Sequence, residues 1–233
     1  MSALPHDAGE TAPGWFGKLA CLGDFASRRL PQEFVAACDG WLSRGVEKSR
    51  AQLGDIWLDT YLTCPLWRFA WAPGIVDGRW WFGVLMPSVD NVGRYFPLVV
   101  AVARAEAPGD AADLDELERW FATVAEAMLG TLQNGSLLER FERELQGSPR
   151  FLNRPAMATP PDETHWTNRT GYRFSNGSSL AESMHDLLHH DVTERYRGRT
   201  LWWPANASGP TQLTVTAGLP TPESFVDLLQ GAW

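Results

Sequence analysis

Residues 96–103 read Phe-Pro-Leu-Val-Val-Ala-Val-Ala, a run without a single polar side chain. It is far too short to cross a bilayer, and its valines favour a strand over a helix. Successive strand side chains point to opposite faces, so a run that is apolar throughout needs cover on both faces of its sheet. Residues 66–71 (LWRFAW) and 79–86 (RWWFGVLM) are also short and aromatic-rich, and read as strands. The Pro73-Gly74 and Asp77-Gly78 pairs between them are turn signals. These neighbouring strands make a meander, so the sheet is antiparallel at least here. Trp80 and Trp81 face opposite ways, so both are core only if helices lie on both sides.

The flanks supply such helices. Residues 15–20 form a further strand that turns at 22–25. Pro31 opens a helix whose Phe34, Cys38, Trp41, Leu42 and Val46 share one face, and Gly54 closes it. Asp55 is placed to cap a short helix carrying Trp57 and Tyr61. The stretch 113–132 is strongly amphipathic through Leu114, Leu117, Trp120, Phe121, Val124, Met128 and Leu132. Helices are also predicted at 137–145, 180–196 and 222–230, and strands at 200–203 and 212–216. Residues 149–179 are polar and proline-containing, a linker or a long functional loop. Residues 1–13 read as a loose tail. Strands on both sides of a helical middle predict one α/β domain over 14–233. The expected form is a mixed, partly antiparallel central sheet covered on both faces. The alternative is a break near residue 105.

The chain has 233 residues, with 28 acidic against 20 basic side chains and a net charge of −8. That balance argues against general nucleic-acid binding, which needs a basic face. No apolar run reaches membrane-spanning length, and residues 1–14 lack the basic and apolar segments of a secretory signal. Cys21, Cys38 and Cys64 are odd in number and without metal-ligand spacing, which fits reduced thiols and a cytoplasmic location. The 12 tryptophans are read mainly as core.

Several groups could carry chemistry. His185 and His189 sit four apart, which on a helix places both on one face as a candidate zinc pair, with His190, Asp186 and Asp191 close by. HExxH is absent and the sequence identifies no third ligand, so a polar helix end is the plainer reading. Cys64 lacks a nucleophile signature, and no GxSxG, GxxxxGK[ST] or GxGxxG occurs. No catalytic residue and no cofactor is therefore assigned. Arg28, Arg29, Arg195, Arg197 and Arg199 read as solvated faces or carboxylate partners. Two loops stand apart. One is Gly23-Asp24-Phe25. The other, 88–95, reads Ser-Val-Asp-Asn-Val-Gly-Arg-Tyr. Ser88 or Asp90 can cap a turn, Gly93 can take positive φ, and Arg94 can reach Asp90 or Asp24. Holding a loop and docking a partner are equally open readings.

Three ordered segments carry a family resemblance. They are Gly14-Trp15-Phe16-Gly17-Lys18-Leu19 with Leu22-Gly23-Asp24-Phe25; Trp57-Leu58-Asp59-Thr60-Tyr61-Leu62-Thr63 with Pro65-Leu66-Trp67-Arg68-Phe69; and 83–90 with 92–98. Together, over residues 14–105, they resemble the TagF family of type VI secretion-associated proteins. The resemblance implies a three-layer α/β fold and a non-catalytic cytoplasmic accessory of that contractile injector of Gram-negative bacteria. It further implies a post-translational repressor that engages the system's forkhead-associated scaffold protein, in parallel with threonine phosphorylation. Some relatives carry a PP2C-type phosphatase, and this chain is too short for that addition. The candidate partner-binding residues are Asp24, Phe25, Asp90, Arg94 and Tyr95. The alternatives are a metal-dependent hydrolase using the His185 to His190 cluster, and an anion- or phosphopeptide-sensing module built on Arg94.

Overall fold

A computed structural model describes residues 12–133, 135–151, 162–167, 169–173, 180–205 and 212–232. Residues 1–11 of the expected tail 1–13, much of 149–179 and Trp233 lie outside the described residues. Strands β1 (Gly14–Gly17) and β2 (Ala26–Arg28) precede helix α1 (Gln32–Leu53). Next come α2 (Trp57–Leu62), β3 (Trp67–Trp71), β4 (Trp80–Met86) and β5 (Leu98–Arg104). Helices α3 (Ala111–Gly130) and α4 (Leu138–Gln146) follow, then β6 (Asp162–Trp166) and β7 (Arg169–Arg173). The described chain finishes with α5 (Leu180–Tyr196), β8 (Arg199–Pro204), β9 (Thr214–Ala217) and α6 (Phe225–Gln230).

Seven strands make one sheet in the order β2-β1-β5-β4-β3-β8-β9, and β6-β7 form a separate hairpin. The sheet was expected to be only partly antiparallel, but every described pairing is antiparallel. The helical crossovers do not join neighbours. The α1–α2 excursion connects β2 to β3, which run the same way but have three strands between them in the sheet. Parallel pairing needs such a crossover between adjacent strands.

The apolar run behaves as its pattern requires. In β5, Leu98, Val100 and Val102 enter one core with α3 and α4, while Val99 and Ala101 enter a second core with α1, α2 and α6. Trp80 belongs to the first core and Trp81 to the second, so both sheet faces are covered. Tryptophans dominate the second core, and a buried indole N–H usually finds a hydrogen-bond acceptor. Trp41 donates to Pro220 O at 2.9 Å, Trp57 to Ser49 Oγ at 2.9 Å and Trp67 to Leu228 O at 3.0 Å. Two of these bonds tie α1 and β3 to the α6 region, so the rings both fill the core and fix its lid. Two local expectations fail. Asp55 lies in a 3-10 turn, and α2 starts after it without a side-chain cap. Leu114 and Leu132, at the ends of the α3 stripe, are exposed.

Gly83 in β4 faces Phe69 of β3 across the ladder. A β carbon on Gly83 would lie 2.2 Å from Phe69 Cζ and 2.5 Å from Val100 O. The ring thus occupies the place of the missing side chain. Gly83→Ala is expected to lose about 2 kcal/mol through overpacking. Gly78→Ala, with nothing within 4 Å, serves as control in urea unfolding. Equal midpoints for the two variants would refute the packing account.

Candidate functional site

Two loops meet at the end of the sheet where β1 stops and β5 begins. β1 ends at Gly17, whose φ of +134° and close approach to Pro97 O exclude a side chain. Lys18 follows, and its side chain is 4% exposed. A lysine this buried needs an anion. Asp90 supplies it: Lys18 Nζ donates to Asp90 Oδ2 at 2.5 Å. The same carboxylate accepts from the backbone N–H of Val92 (3.1 Å) and of Arg94 (2.8 Å), and from Arg94 Nε (2.7 Å). Burial pushes the Asp90 carboxyl up. The bonds from Lys18, Arg94 and Val92 outweigh this and hold it well below the usual carboxylate range. Asp90 is therefore a fixed anion at the centre of the 88–95 loop.

The loop is strapped on from below and beside. Ser88 Oγ donates to Lys18 O at 2.7 Å. The Tyr61 hydroxyl donates to Ser88 O and accepts from Ser88 N–H, both at 2.9 Å. The Asn91 N–H donates to Leu22 O at 3.0 Å, and Arg94 Nη2 donates to Gly23 O, which joins the loop to 22–25. Gly93 takes φ of +83°, closing the turn between Asp90 and Arg94.

Above this base lies an open concavity of about 480 Å³, lined by Lys18, Phe25, Arg50, Gly93, Arg94 and Tyr95. Phe25 is 46% exposed, yet its ring packs against Phe96 at 4.7 Å and Phe16 at 6.2 Å. Lys18 Nζ lies 4.5 Å from the Phe25 centroid. Tyr95 is half-buried against Tyr61 and Trp57, and Arg50 lies over the Trp57 ring at 4.1 Å. Arg94 is 55% exposed and sits 3.8 Å from Asp24 at the rim.

All five candidate residues thus gather at one place, in different positions. Phe25, Arg94 and Tyr95 line the concavity, Asp24 lies at its edge, and Asp90 is buried beneath it. Lys18 and Arg50 were not singled out from the sequence. A lysine directly after an apolar strand was the available signal for the first. Arg50 comes from an exposed turn of α1 and gave none. Other candidates fall elsewhere. Burial pushes the Cys64 thiol up to about 12, which keeps it neutral and unreactive. Arg28 and Arg29 both approach Glu142, and Arg197 pairs with Glu194. His185 and His189 share a face of α5, at the other end of β5 from this concavity.

No helix among the described residues is long and apolar enough to cross a membrane. Among curated proteins, none matches the chain. The crystal structure of PA0076 from Pseudomonas aeruginosa PAO1 is similar, with 37% identity, a TM-score of 0.70 and 94% of each chain covered. The TagF N-terminal domain, described as type VI secretion system-associated, matches residues 14–147 and so includes the whole concavity. With more than half its length matched, this chain belongs to the TagF family of type VI secretion system-associated proteins.

Proposed function

We propose that this protein is a non-catalytic cytoplasmic accessory of the type VI secretion machine. It represses assembly or firing by docking on the system's forkhead-associated scaffold through the concavity of Phe25, Arg94 and Tyr95. The observation that carries this reading is that exposed Arg94, fixed by the buried and fully partnered Asp90, stands beside exposed Phe25, whose ring is held by Phe16 and Phe96. Aromatic and arginine side chains dominate interface hot spots, and prior ordering lowers the entropic cost of binding. Asp90 spends its oxygens on internal donors, which suits a scaffold for a binding surface better than an acid or base. Docking then acts by occupancy: it shifts the scaffold only as far as its affinity differs between the scaffold's two states.

The cationic lining of Lys18, Arg50 and Arg94 supports a narrower second reading, in which the docked element carries an anionic group such as a phosphorylated side chain. Binding of purified scaffold tests both. Phe25→Ala and Arg94→Ala are each expected to weaken it about 30-fold, near 2 kcal/mol. A folded Phe25→Ala protein with wild-type affinity would remove this surface from the interaction. Prior dephosphorylation of the scaffold separates the two readings. In cells, overproducing this chain should reduce secretion of the tube protein, and unchanged secretion would refute repression.

A further inference from the structure

Helix α5 turns one face toward the first core. Val192 and Tyr196 pack against that core, and Trp80 Nε1 donates to Thr193 Oγ1 at 3.3 Å. Toward its N-terminus the same face carries His189 and His185, whose ring centroids lie 4.3 Å apart with planes at 72°. The loop leaving β5 brings Glu106 to this pair. Glu106 Oε2 lies 3.9 Å from His189 Nε2, and the two side chains are only 16% and 4% exposed. One ligand atom from each of Glu106, His185 and His189 lies within 4.8 Å of the other two.

We infer that Glu106, His185 and His189 bind a divalent transition metal, with zinc the favoured ion. Two imidazoles and one carboxylate are a donor set that zinc accepts at about 2.0–2.2 Å, with a fourth position left open. An ion roughly 2.1 Å from both atoms fits between Glu106 Oε2 and His189 Nε2 at their present separation. Tetrahedral ligand atoms sit about 3.3 Å apart, so side-chain shifts of about 1.5 Å at most close the set. The backbone also makes room. A β carbon on Gly109 would lie 2.7 Å from His189 Nε2 and 2.9 Å from His185 Cε1. Glycine therefore leaves open the space beside the nitrogens that any side chain would fill. That loop is held in place, because the Gly109 N–H donates to Asp113 Oδ2 at 3.0 Å inside the N-terminal cap of α3. The fourth position takes water or a donor from solvent, and no reaction is assigned to it. The site lies at the opposite end of β5 from the docking concavity, so the two proposals stand or fall separately.

Metal-free full-length protein titrated with zinc chloride against a chromophoric chelator should bind one zinc per chain. His185→Ala and Glu106→Gln are each expected to weaken binding at least about 10-fold. Gly109→Ala should weaken it with every ligand intact, and His190→Ala on the same helix should leave it unchanged. Cobalt in place of zinc should give the visible absorption of a tetrahedral site in the wild type and lose it in His185→Ala. If the variants do not fold, the wild-type stoichiometry and cobalt spectrum decide. Absence of stoichiometric zinc from the wild type overturns the inference, as does equal affinity in folded His185→Ala and Glu106→Gln.

Discussion

Replacing Glu142 with Ala lowers the unfolding free energy by about 3 kcal/mol at neutral pH, and the gap from wild type narrows in acid. Glu142 projects from α4 into the sheet edge and is 7% exposed. Its carboxylate accepts Trp15 Nε1 at 2.6 Å and Arg29 Nη1 at 2.6 Å, with Arg28 at 3.6 Å. Trp15 is completely buried, so its N–H would be orphaned in the variant, at a cost of about 1–3 kcal/mol. Arg29 is 24% exposed and can turn to water, which limits its share. Burial pushes the Glu142 carboxyl up. The bonds from Arg29 and Trp15 and the charges of Arg29 and Arg28 outweigh this and leave it below its ordinary value. A depressed folded-state value means the ionic stabilisation is present above the unfolded value of about 4.3 and is lost as pH falls through the folded one. Urea unfolding at neutral pH and at about pH 3.5 reads this directly, and a pH-independent gap would refute the ionic part. Glu142→Gln, which keeps an acceptor for Trp15, should lose about half as much. Because β2 follows Phe25 directly, Glu142→Ala should also loosen the docking concavity.

Trp202→Ala costs more, about 4 kcal/mol. Trp202 stands on β8, fully buried, with ring centroids 5.2 Å from Trp41, 5.3 Å from Phe69 and 6.3 Å from Trp71. Truncation opens a cavity between α1 and the sheet that rigid neighbouring rings cannot collapse to fill. It also removes the donor to Thr200 Oγ1 at 2.7 Å, where a hydroxyl pair with Thr216 links β8 to β9. Trp202→Phe keeps most of the packing and should lose about half as much, measured by the same unfolding midpoints. A loss below about 1 kcal/mol for the alanine variant would mean the core re-forms without this ring.

The central meander and α1 were legible because burial writes itself into sequence there: two-faced apolar strands and a helical stripe leave few alternatives. β2 was not, since three residues at an edge, Ala26-Ser27-Arg28, are too few to carry a pattern and owe their pairing to β1. The fully antiparallel sheet was hidden because strand order depends on where crossovers land, which composition does not encode. The Asp90–Arg94 pair could be anticipated from its spacing within one turn. Asp90's burial could not, because it follows from Lys18 arriving from another loop. Glu106 was missed for the same reason: its histidines lie far along the chain, and only the fold brings them together. The stretch 149–179 combined real strand content, in β6 and β7, with residues outside the described structure.

β3 has two partners separated by most of the sequence. It pairs with β4 in the same meander, but its other edge waits for β8. Until residues 199–230 have left the ribosome, Trp41, Trp67 and Trp71 lack the cover of Trp202, Phe225, Leu228 and Leu229. A nascent chain paused after the family-matched segment would display an open backbone edge flanked by exposed indoles, a template for association with other chains. Chaperone binding during synthesis is expected to concentrate in this interval, and ribosome-bound chains truncated after residue 147 should capture more chaperone than the full chain.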